Sequence, residues 1–270
     1  MLKQRLITAL ILAPCALAGL FFLSLDLFKL FTCVIVLFAA WEWADLSGVP
    51  AASARVAYSS FVAACIALVD YSLTVPQFQD FMLPTVLFWI MALFWVFRFP
   101  AVRGWHSSWQ RLIIGLLVLV PSWMALVSIR QHPDGSVFML MLLLLVWGAD
   151  IGAYFAGKTW GRKKLAPKVS PGKTMAGFWG GIGSCVIIAI GFVIYLELSM
   201  LDGFYLIVLS IIAGLASVLG DLFESMLKRQ RGIKDSSKLL PGHGGVLDRI
   251  DSITAAAPMF VLGVHVLTTV

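Results

Sequence analysis

Charge is scarce in this sequence. Asp, Glu, Lys and Arg make up only 13% of the 270 residues and the mean hydropathy is +0.95, whereas about a quarter of a soluble domain is charged. That deficit excludes an ordinary water-soluble globule. Cysteine and histidine are sparse as well, at four residues each. Cys15, Cys33, Cys65 and Cys185 all lie in apolar runs and none stands in a C-x-x-C spacing. The thiols therefore read as small core hydrophobes, and neither a zinc site nor a disulfide framework is expected. His265 is alone in an apolar segment and His106 and His132 read as loop residues, which leaves His243 in a polar context. A nucleotide-binding phosphate loop is missing too. The nearest approach, "SPGKT" at Ser170 to Thr174, lacks the GxxxxGK[ST] spacing and a preceding strand.

What the chain has in quantity is apolar sequence. Nine runs are long enough to span a bilayer, near residues 6–24, 28–47, 56–75, 80–98, 111–129, 137–156, 175–198, 203–223 and 252–269. A spanning helix needs about 20 apolar residues for a hydrocarbon core of about 30 Å. The expected fold is an all-α integral membrane protein of about nine transmembrane helices. The first run has the basic-then-apolar shape of a secretion signal. Another run follows at once, however, and Pro14 stands where a lipoprotein cleavage box needs a small residue, so retention as the first helix is expected.

The net charge of +6 invites a nucleic-acid reading, but its distribution argues against one. Threaded through nine helices, all 20 Lys and Arg except Lys29 and Arg130 fall on one side of the membrane. Basic residues near helix ends stay cytoplasmic, which predicts a cytoplasmic N-terminus and an external C-terminus. Trp41, Trp43, Trp105 and Trp109 lie near expected helix ends and read as an interfacial belt. Glu42 and Asp45 at one end, and Asp70 at the other, likewise read as interfacial.

Residues 1–136 contain short loops and few intramembrane charges, and read as a scaffold of five transmembrane helices. Residues 137–270 differ: four further helices carry two polar cytoplasmic loops, and the catalytic part is expected there. Asp150 falls within an apolar run, where an ionised carboxylate costs about 3 kcal/mol or more unless it is paired or hydrated, so it implies a groove. In the first polar loop, the amides and hydroxyls of Ser170 and Thr174 and the ammonium of Lys173 suit a phosphate at the start of the next helix.

The second loop begins on the eighth run with "GDLFESMLKRQRGIKDSSKLLPGHGGVLDRID". Asp221, Ser225 and Lys228 are spaced i, i+4 and i+7, so they share one helix face over about 10 Å. "PGHGG" permits backbone conformations that side chains obstruct, and close approach to a ligand. Asp248 and Asp251 then share a face three residues apart. Three carboxylates on adjacent helices would repel without a cation between them. A hard divalent ion, most readily Mg²⁺, meets that need. Around it Lys173, Lys228, Arg229, Lys234, Lys238 and Arg249 offer charge for several phosphates. His243 remains open between metal ligand, acid and phosphate donor. The set suits phosphoryl or nucleotidyl transfer. A transporter would place its charges nearer the bilayer midplane.

Ser225, Lys228, Arg229, Lys234, Asp235, His243, Gly244, Gly245, Asp248, Arg249 and Asp251 form S-x-x-K-R-x4-K-D-x7-H-G-G-x-x-D-R-x-D. This pattern resembles the signature of the phosphatidate cytidylyltransferases, or CDP-diacylglycerol synthases, and Asp150 to Thr174 resembles that family's preceding loop. The resemblance implies transfer of CMP from CTP to phosphatidate in phospholipid biosynthesis by an integral membrane enzyme; the charged loops put its active site at the cytoplasmic face, and the compact chain fits a bacterial inner membrane. It also implies Mg²⁺, with K⁺ beside it, and a homodimer. Asp221, Asp248 and Asp251 would hold the metal. Lys173, Lys228, Arg229 and Lys234 would bind substrate phosphates, oriented by Ser225 and His243. A related lipid cytidylyltransferase or a lipid kinase is the alternative enzyme.

Overall fold

The structure, a computed structural model, describes residues 17–74 and 82–268 together with residues 14 and 77. The expected run 6–24 lies largely outside the described residues. Eight long helices follow in order: α1 (Leu25–Leu46), α2 (Ala52–Ser72), α3 (Met82–Arg98), α4 (Ser108–Gln131), α5 (Gly135–Trp160), α6 (Met175–Tyr195), α7 (Met200–Arg231) and α8 (Leu247–Thr268). Seven of these are long and apolar enough to cross a membrane; α3 is apolar but shorter. The protein is thus a helical, multi-pass membrane protein.

Among the described residues, the strands that depart from an all-helical chain lie at the site. Lys164–Ala166 (β1) and Ser170–Thr174 (β2) form an antiparallel hairpin, with Lys164 opposite Thr174 and Ala166 opposite Ser170. Ser170 to Thr174, expected as an open loop, is therefore a strand. Thr174 also ends it as the cap of α6, its Oγ1 accepting from Gly177 N at 3.1 Å. Capping satisfies an orphan helix amide.

Charges sort to the two ends of the bundle. At one end Lys29 pairs with Asp70 at 2.6 Å, and Arg130 donates to Leu23 O. At the other, Asp45 receives Arg55 at 2.6 Å and Arg231 at 3.2 Å, while Arg111 donates to Ser47 O. The two tryptophans nearest this second end are not interfacial as expected. Trp43 and Trp105 are 1% and 0% exposed, and Trp43 Nε1 donates to Arg111 O at 2.7 Å. Trp109, 62% exposed, and Trp41, partly exposed with Arg55 over its ring at 5.2 Å, match belt positions. Trp43 instead joins Phe88, Trp89 and Trp95 around the buried ring of Phe223, with centroids 5.7 to 6.4 Å apart. Aromatic pairs at such separations add about 0.5–1.5 kcal/mol each beyond burial. They fix α1 and α3 to α7 one residue before Glu224.

α7 runs 32 residues, past the apolar run 203–223, to Arg231. At 1.5 Å per residue it is about 48 Å long, more than a bilayer core of about 30 Å. It ends at Gly232, whose φ of +78° is the left-handed conformation favoured after a helix. α5 and α6 pack through small residues. A side chain on Gly177 or Gly181 would lie 2.8 Å from the Ala153 or Ala149 carbonyl oxygen, and such close approach is how helices associate without a hydrophobic drive in lipid.

Gly181→Leu should therefore cost about 1–3 kcal/mol of overpacking, seen as a lowered thermal midpoint in detergent. Gly183→Leu, at a position with nothing within 4 Å, should leave the midpoint unchanged. Equal shifts would contradict the packing.

Candidate active site

The site begins with an absence of bulk. A side chain at Gly220 would strike the Asp251 carbonyl oxygen and stand 3.2 Å from Ala255 Cβ, so this glycine is what lets the α7 and α8 backbones touch. On the charged side of that contact, Asp221, Glu224, Ser225 and Lys228 of α7 face Asp248 and Asp251 of α8. Lys228 is 8% exposed. Its Nζ lies 2.7 Å from Asp248 Oδ1 and 3.3 Å from Glu224 Oε1. Ser225 Oγ donates to Asp221 Oδ1 at 3.2 Å, as the i, i+4 spacing predicts. From the hairpin, Lys173 Nζ reaches Asp221 Oδ2 at 2.7 Å. Asp251, which accepts from Ser252 N at 2.7 Å, interacts with both Asp221 and Glu224. Asp150 is exposed and interacts electrostatically with Asp221, Lys173 and Arg249, so its place in an apolar run is explained by the neighbouring charged cluster.

Asp248 is the organiser of the following loop. Besides Lys228, it accepts from Ser236 N at 3.0 Å and from Gly245 N at 2.7 Å. Gly242 and Gly244 adopt φ of +77° and +82°, conformations that glycine alone takes without strain. The room Gly244 leaves is taken by Asp248 Oδ2, and that at Gly245 by Ser236 and Glu42. His243 Nδ1 is buried without a hydrogen-bond partner. Arg229 Nε donates to Val169 O at 3.1 Å, tying the hairpin to α7. Lys234, Lys238 and Arg249 are exposed around the rim, and Ser170 is partly buried. Thr174 serves as a helix cap rather than facing the cluster.

Two residues escaped the reading of the sequence. Glu224 lies three residues after Asp221 and four before Lys228, so the spacing that found its neighbours also contained it. Glu42 was expected at the interface, yet it is 0% exposed. Its carboxylate accepts from Ser236 Oγ (3.0 Å), Ser237 Oγ (2.6 Å), Val246 N (2.9 Å) and Leu247 N (2.7 Å). A carboxylate in an apolar run was the available signal.

Among the described residues no group of three or more His, Cys, Asp or Glu side chains stands as a ready metal site. The carboxylates are instead held by ammonium groups, Lys173 on Asp221 and Lys228 on Asp248. The donor chemistry still suits a hard cation. Asp221, Glu224 and Asp251 supply oxygens only, and both buried Glu224 oxygens have just the ammonium of Lys228 and the carboxyl of Asp251 beside them.

An integral membrane protein that gathers carboxylates, lysines and arginines at one end of its bundle has the equipment of a membrane enzyme that handles phosphorylated groups. The model of the cytidylyltransferase family matches residues 3–267, and the chain belongs to that family. It is 46% identical over 262 residues to a phosphatidate cytidylyltransferase of Pseudomonas aeruginosa, covering 96% of each chain. Over 282 residues it is 36% identical to a phosphatidate cytidylyltransferase of Haemophilus influenzae, covering 96% and 97%. A Brucella suis phosphatidate cytidylyltransferase is 35% identical over 262 residues.

Glu42→Ala would strand four donors, two of them backbone amides at the start of α8. At about 1–3 kcal/mol for a buried group left unpaired, it is expected to lower the thermal midpoint by several degrees, with Glu42→Gln intermediate. Wild-type stability in Glu42→Ala would refute this role.

Proposed function

We propose that this chain transfers CMP from CTP to phosphatidate, giving CDP-diacylglycerol and pyrophosphate. The observation that carries the reading is the meeting of Asp221, Glu224, Asp248 and Asp251 with Lys173, Lys228 and Arg249 within the segment that bears the family signature. A phosphatidate oxygen attacks the α-phosphorus of CTP; the new P–O bond forms as the bond to the β-phosphate breaks, and pyrophosphate leaves. A phosphomonoester with a second pKa near about 6 is largely dianionic at neutral pH, so the chain needs no strong general base. Its task is positioning and charge neutralisation.

Lys173, Arg229, Lys234, Lys238 and Arg249 bind substrate phosphates. Ser225 and His243 orient them, and the Gly244–Gly245 turn lets the chain pass close to Asp248. Lys228 holds Asp248 in register with α7 and is released to substrate when the carboxylate is otherwise occupied. Asp221 and Asp251, with Glu224 beside them and Asp248 as a further oxygen donor, would hold Mg²⁺, with K⁺ nearby. The ion would withdraw charge from the CTP phosphates.

In this reading residues 137–270 carry the chemistry while residues 1–136 brace it, Glu42 being the brace that reaches the site. Nine transmembrane helices with an inside N-terminus and an outside C-terminus would put the site at the cytoplasmic face of a bacterial inner membrane. There a lipid and a soluble triphosphate both have access. The segregation of Lys29, Asp70 and Arg130 from Asp45, Arg55 and Arg231 supports that orientation. A homodimer rests on the resemblance.

The decisive experiment gives purified protein phosphatidate, Mg²⁺ and each ribonucleoside triphosphate in turn, following liponucleotide and pyrophosphate together. CTP alone should yield both in equal amounts. Release of a nucleoside diphosphate instead would identify a kinase and overturn the proposal. Asp221→Asn should lower kcat by about 100-fold or more with normal membrane expression, and near-normal activity would reject the site. Chelation with EDTA should abolish turnover and added Mg²⁺ restore it; activity that survives chelation would remove the metal from the proposal.

A further inference from the structure

Between Asp150 and Glu197 the chain carries six basic residues and no acidic one. Five of them, Lys158, Arg162, Lys163, Lys164 and Lys168, crowd into residues 158–168, the end of α5 and the first strand and turn of the hairpin. The rule that keeps basic residues cytoplasmic accounts for their side of the membrane, but not for their lack of partners. Arg55 and Arg231 share Asp45, Lys173 meets Asp221 and Lys228 meets Asp248. Arg162, Lys163, Lys164 and Lys168 are exposed, and among the described residues none of the four pairs with a carboxylate. The helix ends beside them are aromatic on the outside. Trp160 closes α5 and Trp179 lies in the second turn of α6, 71% and 64% exposed, and Tyr154, also exposed, has the Lys158 ammonium over its ring at 5.7 Å. Exposed tryptophan and tyrosine at the ends of spanning helices sit at the depth of the lipid head groups, and the hairpin stands at the same end.

We propose that the outer face of the hairpin, Arg162, Lys163, Lys164 and Lys168, docks anionic phospholipids of the surrounding bilayer, and that lipid held there steadies the hairpin. The charge argument is direct. Four cations without counter-ions in the head-group layer gather lipids of net negative charge, as clusters of Lys and Arg beside a spanning helix do; zwitterionic heads offer no net charge in return. The pull fades within a Debye length, about 8 Å at physiological salt, so cations held at head-group depth beside Trp160 and Trp179 are in range of lipid first. The hairpin also connects this face with the charged cluster. Met175 N donates to Lys163 O at 2.9 Å and Lys164 stands opposite Thr174, across from the end of β2, whose Lys173 pairs with Asp221. Val169, next to Lys168, accepts from Arg229 of α7. Anionic lipid on the outer face therefore bears on the strand pair that presents Lys173. This coupling, unlike the docking itself, rests on the proposed function.

The test uses intact protein in phosphatidylcholine nanodiscs doped with phosphatidylglycerol that bears a photoreactive diazirine on the acyl carbon nearest the head group. After irradiation, label is expected in the peptide spanning residues 158–175. Unlabelled phosphatidylglycerol should displace it, phosphatidylcholine and CTP should not, and about 1 M salt, where the Debye length is about 3 Å, should weaken it. Combining Arg162→Gln, Lys163→Gln, Lys164→Gln and Lys168→Gln should lower the label by about fivefold or more with the thermal midpoint unchanged. Equal labelling by a phosphatidylcholine probe would leave an aromatic belt and no docking face, and displacement by CTP would make the face a collector of nucleotide; either result overturns the proposal. For the coupling, phosphatidate is held fixed and CTP saturating while phosphatidylglycerol replaces phosphatidylcholine. Turnover should rise by about threefold in the wild type and stay level in the combined variant, and a parallel rise in both would refute the coupling. The competition among lipids needs no turnover. Absence of CDP-diacylglycerol from the wild-type assay would thus defeat the functional reading and leave the docking face to be judged on the label alone.

Discussion

Lys228 Nζ stands between Glu224 on its own helix and Asp248 on the next, in a region almost closed to water. Removing one partner of a buried ion pair is costly, about 3–5 kcal/mol, because it strands the other charge. This constraint orders the rest of the site. Asp248 holds the Ser236 and Gly245 amides, and through them the glycine turn. Asp221, two helical turns before Lys228, draws in the hairpin through Lys173. The contact at Gly220 keeps the two helices close enough for the ammonium to bridge them.

The carboxylate and lysine cluster lies in the second half of the chain, but its geometry depends on the first. Glu42 supplies the acceptor for the start of α8, and Asp45 receives Arg231 at the end of α7. Phe223, packed among Trp43, Phe88, Trp89 and Trp95, locks the same stretch of α7 from behind. A scaffold helix therefore sets the position of loop residues roughly two hundred places further along the chain.

Most of the helices were legible because the bilayer imposes one length and one composition on every crossing segment. The carboxylates of α7 and α8 were legible because helical spacing turns sequence separation into a shared face. Other features were not. The hairpin is short and built of Lys, Ser, Pro and Gly, with no alternation of apolar and polar residues to betray a strand. α7 outruns its apolar stretch because a helix continues as long as its backbone is satisfied, whatever its side chains. Glu42 and Trp43 lie near a helix end, where interfacial and core residues look alike; only tertiary partners distant in sequence tell them apart.

The touching backbones at Gly220 and Asp251 have an effect on the membrane itself. Below the charged cluster the seam between α7 and α8 is closed by small residues, Ala255 standing against Gly220 and both helices burying further small side chains such as Ala213, Ser217 and Ala256. Acidic groups sunk into a bilayer would otherwise offer protons a foothold for crossing. Here the backbones close beneath them at Gly220, leaving no room between α7 and α8 for a file of water to carry protons past the carboxylates.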